Sequence, residues 1–169
     1  MTFIFIGMPG SGKSSMGRIV AKKLRLKFIE CDRLIEARAG KKLQDVINED
    51  GIEHFRKLEE ETLCSISEDN AIISTGGSAI YYPAAMEHFK KIGKVIYLYA
   101  SLPCILERIR DYSRRGIVIP DGMTFEDLYH SRCLLYEKYA DATINCDGRA
   151  YPRFHERIEK TLRAFIEYC

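Results

Sequence analysis

Gly7-Met8-Pro9-Gly10-Ser11-Gly12-Lys13-Ser14 matches the pattern G-x-x-x-x-G-K-[ST]. The pattern serves close approach of backbone amides to phosphate oxygens, which side chains would block, so glycines recur in it. The segment before it, Thr2–Ile6, is a short apolar run rich in Phe and Ile and reads as a buried strand. After it, Met16, Ile19, Val20 and Leu24 recur at i, i+3, i+4 and i+8, the stripe of an amphipathic helix. Strand, glycine loop and helix in that order place free N–H groups and a positive dipole end where an anion would sit. Gly10, Ser11, Gly12 and Ser15 are the backbone candidates for a nucleotide; Lys13 should reach its β- and γ-phosphates, and the Ser14 hydroxyl should ligate Mg²⁺. At average residue frequencies the pattern would arise by chance in a chain this long on the order of 0.5% of the time.

Outward from this loop the chain keeps alternating strand and helix. Lys27–Glu30 reads as a strand, and residues 33–67 as two or three helices punctuated by Gly40 and Gly51. Ala71–Ser74 is a strand closed by Gly76 and Gly77, followed by a helix over 84–91, a strand over 94–99 and a helix marked by Leu102, Ile105, Leu106 and Ile109. Residues 110–122 lack periodicity and hold three arginines, two glycines and a proline, the composition of a mobile loop. Phe125–Tyr139 reads as a helix, 142–144 as a short strand, and Phe154, Ile158, Leu162 and Phe165 line a last helix. Five strands joined by helical crossovers imply a parallel sheet covered on both faces, an α/β fold. Neither a repeat nor a linker divides it, so a single domain over 1–169 is expected.

The 169 residues suffice for a hydrophobic core without staples. With 46% apolar and 30% charged residues, the composition is ordinary for a soluble globular protein. A formal charge of +2 is too small to argue for nucleic acid or a membrane surface. Six scattered cysteines show neither C-x-x-C nor metal-ligand spacing, and no apolar run approaches a membrane span. The N-terminus enters an apolar strand without a basic flank, and the expectation is a cytoplasmic monomer.

A phosphate loop does not choose an acceptor. In parallel sheets ligands bind beyond the carboxyl ends of strands. Glu30 and Asp32, and the turn Thr75-Gly76-Gly77-Ser78, both lie at such ends. Read alone, Asp32 serves equally as an N-cap or a catalytic group, and Arg56 pairs with Glu59 or Glu60 at helical spacing. Glu59-Glu60-Glu61 reads as a solvated helix face, with one member available to orient Arg56. Tyr81 and Tyr82 after the turn read first as packing residues, with bordering the acceptor as the alternative.

With Phe55-Arg56-Lys57-Leu58-Glu59, the glycine turn and Arg132-Cys133-Leu134-Leu135-Tyr136 added to the loop, the sequence resembles the shikimate kinase family from residue 4 to about 152. The resemblance implies a five-stranded parallel sheet in the order 2-3-1-4-5, as in nucleoside monophosphate kinases, with a lid over about 110–122. It implies transfer of the γ-phosphoryl group of ATP to the 3-hydroxyl of shikimate, with Mg²⁺. Arg56 and Arg132 would grip the acceptor carboxylate, a planar fork matching it bidentately where lysine offers a point charge. Gly76, Gly77 and Ser78 would border the acceptor. Asp32 would orient its hydroxyl and take the proton, and Glu30 would help hold Mg²⁺ through water. Arg115 resembles the lid arginine that reaches the phosphates, Arg108 the arginine lying against adenine, and 145–152 the adenine loop; Gly116 and Gly122 would be lid hinges.

The chain departs from the family pattern at three places. Glu30 stands for an aspartate, Ser78 for the third glycine of the turn, and Arg115-Gly116-Ile117 for the lid's R-P-[LI]. The first two touch the acceptor side and keep open a kinase of another hydroxy acid or polyol. The third reading, a non-catalytic nucleotide-binding relative, is opposed by the intact Lys13, Ser14, Asp32, Arg56, Arg115 and Arg132.

Overall fold

A computed structural model describes residues 1–109, 117–148 and 151–167. The elements run β1 Thr2–Ile6, α1 Lys13–Leu24, β2 Lys27–Glu30, α2 Cys31–Ala39, α3 Leu43–Asp45, α4 Ile52–Cys64, β3 Ala71–Ser74, α5 Pro83–Ile92, β4 Gly93–Tyr99, α6 Leu102–Arg108, α7 Phe125–Tyr139, β5 Ala142–Asn145 and α8 Tyr151–Glu167. A π-helical turn, Val46–Asp50, continues α3, and a 3₁₀ turn, Ala79–Tyr81, follows the glycine turn. The five strands pair in parallel in the order β2-β3-β1-β4-β5. That is the expected order.

β1 lies at the centre, and its five residues are all buried. The period of two divides them between layers. Phe3 and Phe5 join Ile72, Ile96 and Leu98 beneath α1 and α8, where Met16, Val20, Ile158 and Leu162 meet them. Ile4 and Ile6 face the opposite layer with Ile73, Val95 and Tyr97, against Leu63 of α4, Met86 and Phe89 of α5 and Tyr136 of α7. Truncating a phenylalanine buried this way typically costs ~3–5 kcal/mol. A small satellite cluster, Ile35, Val46 and Phe55, ties α2 and the π turn to α4. It fixes α2 and α4, the helices that carry Asp32 and Arg56.

One local reading is decided by the structure. Glu30, in extended backbone, precedes the first helical residue of α2, so Asp32 sits inside the first turn and is not the N-cap. Between Gly40 and Gly51, α3 passes directly into the π turn, so the helices expected over residues 33–67 are present with the glycines between them. The arginine-rich stretch 110–116, with Arg110, Arg114, Arg115 and Gly116, lies outside the described residues, as do 149 and 150 of the adenine loop.

Candidate functional site

β1 ends at Ile6, and the chain turns at Gly7 with φ +145°. A β-carbon there would come within 2.6 Å of the Leu98 carbonyl oxygen, so the turn against β4 requires glycine. The loop then folds on itself: Ser11 N–H donates to Met8 O at 3.1 Å. The Lys13 ammonium is buried above the loop and donates to Gly7 O at 2.7 Å and Met8 O at 3.0 Å. Ser14 Oγ lies 3.2 Å from Ser74 Oγ at the end of β3. Inside the cradle the Ser11 hydroxyl is buried without a hydrogen-bond partner. Buried hydroxyls are nearly always paired, so an oxygen-rich ligand suits this loop. The amides at the start of α1, the lysine and the two serines form the donor set a Mg²⁺-nucleotide needs.

On the flank of the loop, Arg108 donates to Gly10 O at 3.3 Å, Cys146 O at 2.6 Å and Gly148 O at 3.3 Å. Its guanidinium carbon lies 5.5 Å from the Phe154 ring centroid. One arginine thus joins the phosphate loop to the loop after β5. Asp147 holds that loop from the other side by accepting from Ser101 N–H at 2.6 Å.

Across the cleft, two carboxylates flank Gly76. A β-carbon on that glycine would meet Glu59 Oε1 at 3.0 Å and Asp32 Oδ1 at 3.2 Å. Burial holds the Asp32 carboxyl above its ordinary value, against the pull of the Lys13 ammonium. Burial also raises Glu59, against hydrogen bonds from Ser78 and Tyr82 that favour its charge. Ser78 Oγ lies 2.7 and 2.9 Å from the two Glu59 oxygens, and Tyr82 OH donates to Oε2 at 2.7 Å. Glu59 is therefore no part of a solvated face: it is 1% exposed. Ser78 adopts φ −88°, so serine is unstrained where the family has glycine, and its hydroxyl is spent on Glu59.

Arg132, buried on α7, donates through Nε to Tyr81 OH at 3.2 Å. Arg56 is half exposed and donates through Nη1 to Glu53 at 2.7 Å, not to Glu59 or Glu60. Both arginines nevertheless line the same cleft of about 1080 Å³ as Lys13, Ser14, Asp32 and Gly77. Gly10, Gly12, Ser15, Gly76, Ser78 and Arg108 also line it. Glu30 does not: its Oε2 is held by Arg18 at 3.2 Å and Arg33 at 3.1 Å. Arg115 lies outside the described residues. Glu59, Tyr81 and Tyr82 belong to the cleft wall, where the sequence favours a solvated helix face for Glu59 and packing for the two tyrosines.

The family model for shikimate kinase matches residues 9–163. The chain belongs to the shikimate kinase family. Among curated members, the shikimate kinase of Sulfurihydrogenibium sp. is 32% identical over 154 residues, covering 90% of this chain and 92% of that one. The shikimate kinase of Francisella tularensis subsp. novicida is 33% identical over 161 residues, covering 93% and 92%. Among solved structures, the shikimate kinase from Acinetobacter baumannii in complex with shikimate superposes with a TM-score of 0.85 at 26% identity, covering 96% of this chain and 93% of the other. The shikimate kinase from Aquifex aeolicus superposes with a TM-score of 0.84 at 27% identity, covering 98% of both. Among the described residues no helix is long and apolar enough to cross a membrane.

Proposed function

We propose that this shikimate kinase family member transfers the γ-phosphoryl group of ATP to the 3-hydroxyl of shikimate. The observation that carries the reading is a single cleft lined by Lys13 of the phosphate loop, the Asp32 carboxylate and the guanidinium groups of Arg56 and Arg132. The family membership and the shikimate complex of the Acinetobacter baumannii relative support the choice of acceptor. Ser78 does not weigh against it, since its hydroxyl turns to Glu59.

In the proposed reaction Arg56 and Arg132 bind the acceptor carboxylate and so orient the ring. Asp32 accepts the hydroxyl proton as the oxygen forms its bond to the γ-phosphorus, and the bond from phosphorus to the β–γ bridging oxygen breaks to release ADP. A carboxyl held above its ordinary value by burial is a better base than an exposed one, and the nearby Lys13 favours its charged form. Lys13 stabilises charge on the transferred group, and Arg115 is proposed to join it from the lid. Gly10, Ser11, Gly12, Ser15 and Arg108 would hold the nucleotide. Mg²⁺, when bound, neutralises phosphate charge; Ser14 would ligate it. Glu30 would contribute through water while its Oε2 is held by Arg18 and Arg33. The proposal includes one domain over 1–169, a monomer and a cytoplasmic setting. The cysteines Cys31, Cys64, Cys104, Cys133 and Cys146 are unpaired, which suits a reducing compartment.

The test is ADP release from Mg·ATP with shikimate, then with related acids and sugars. Turnover on shikimate with a micromolar-to-millimolar KM is expected; turnover confined to another acceptor, or none at all, overturns the assignment. Arg132→Ala should chiefly raise the acceptor KM, and Asp32→Asn chiefly lower kcat. Full kcat in Asp32→Asn would remove Asp32 as the proton acceptor.

A further inference from the structure

Tyr81 and Tyr82 are neighbours in sequence, yet the structure gives them different work. Tyr82 is 9% exposed, joins the main core and spends its hydroxyl on Glu59. Tyr81 is 44% exposed and lines the cleft, so core packing does not account for its ring. Its phenolic oxygen accepts from Arg132 Nε at 3.2 Å, and the Arg132 guanidinium carbon lies 5.3 Å from its ring centroid. The tyrosine is itself fixed. It closes the 3₁₀ turn Ala79–Tyr81, its N–H donates to Ser78 O at 2.9 Å, and Ser78 is bonded to buried Glu59. Tyr136, four residues beyond Arg132 on α7, donates to Gly77 O at 2.7 Å and ties the helix to the same turn.

A guanidinium can meet a carboxylate bidentately in two ways, side-on through Nε and one terminal nitrogen, or end-on through Nη1 and Nη2. The Tyr81 bond occupies Nε. A carboxylate met bidentately by Arg132 must then take the end-on pair, and the ring contact limits rotation of the group. We infer that Tyr81 is a positioning residue of the acceptor site, fixing Arg132 so that its end-on fork receives the acceptor carboxylate. This rests on the cleft binding a carboxylated acceptor as proposed above.

The experiment is a double-mutant cycle on the full chain with shikimate at saturating Mg·ATP. Tyr81→Phe keeps the ring and deletes the acceptor for Nε; Arg132→Lys keeps the charge and deletes Nε itself. Tyr81→Phe alone should raise the shikimate KM roughly tenfold, with kcat and the ATP KM held within about twofold. In the Arg132→Lys background, Tyr81→Phe should add less than about twofold. An equal rise in both backgrounds, as a general loss of stability would give, overturns the inference, and so does an unchanged KM in the single variant. If the unaltered chain neither turns over shikimate nor binds it calorimetrically, the reading of the cleft and this inference fall together. If the unaltered chain is active and Tyr81→Phe is indistinguishable from it, the inference alone falls.

Discussion

Ser78 Oγ sits between both carboxylate oxygens of Glu59, 2.7 Å from one and 2.9 Å from the other, where the family pattern has a glycine with no side chain at all. The hydroxyl is thus an added support for a buried acid.

Ser78→Ala removes one of the two hydroxyl donors to Glu59 and leaves Tyr82. Hydrogen bonds to a buried charge contribute about 1.5–3 kcal/mol. Ser78→Ala should therefore lower unfolding stability by about 1–3 kcal/mol, read from the urea midpoint at unchanged m-value. The shikimate KM should move little, because the lost hydroxyl faces Glu59. A large rise in KM with no loss of stability would show that Ser78 contacts the acceptor directly.

The reach of the sequence can be judged from these same residues. The phosphate loop and the strand positions are legible because local signals carry them: the glycine pattern marks the loop, and each strand is a short apolar run set between helices, whereas the strand order comes from the family resemblance. Asp32, Arg56 and Arg132 are found through motif order, and they do share one cleft. Glu59 is hidden in a run of three acids that reads as solvated. A signal for it existed: Phe55, Glu59, Thr62 and Leu63 follow the i, i+4, i+7, i+8 stripe of a buried face, and an acid on such a stripe must find partners inside. Those partners, Ser78 and Tyr82, lie 19 and 23 residues away, a separation no periodicity reports. Glu30 shows the converse. Its engagement by Arg18 depends on how α1 packs beside β2, a tertiary fact invisible in the short motif Glu30-Cys31-Asp32.

Asp32 should make the native state pay for its position. Burial holds its carboxyl above the ordinary value of 3.8, with Lys13 opposing and Glu30 and Glu36 adding to the rise. Over the window between that value and the raised native one, the folded chain keeps a proton that the unfolded chain has lost. The stability contributed by this group is thus full below 3.8 and is lost as the pH rises through the native value. Asp32→Asn, neutral and nearly isosteric, should accordingly have a higher urea midpoint than the unaltered chain at neutral pH. The gain should shrink as the pH falls towards 3.8. The acid limb of kcat/KM in the unaltered chain should lie above that same ordinary value, and Glu30→Gln should move it down by removing a like charge. A lower midpoint for Asp32→Asn at neutral pH would mean that the attraction to Lys13 outweighs the cost of burial.

Arg56 and Glu53 set the last expectation. Arg56 Nη1 donates to Glu53 Oε1 at 2.7 Å, but the two side chains are 53% and 82% exposed. An exposed i, i+3 pair is worth about 0–1 kcal/mol, so the guanidinium can leave Glu53 for an acceptor carboxylate at small cost. Glu53 is then a weak internal competitor for the group that should grip the acceptor. Glu53→Gln removes the competing charge without touching Arg56, and the shikimate KM should fall by up to about fivefold with kcat unchanged. The gain should fade as ionic strength rises, because both charges face solvent and salt screens them. A higher KM in Glu53→Gln would show that Glu53 holds Arg56 in its working orientation, and the competition would be refuted.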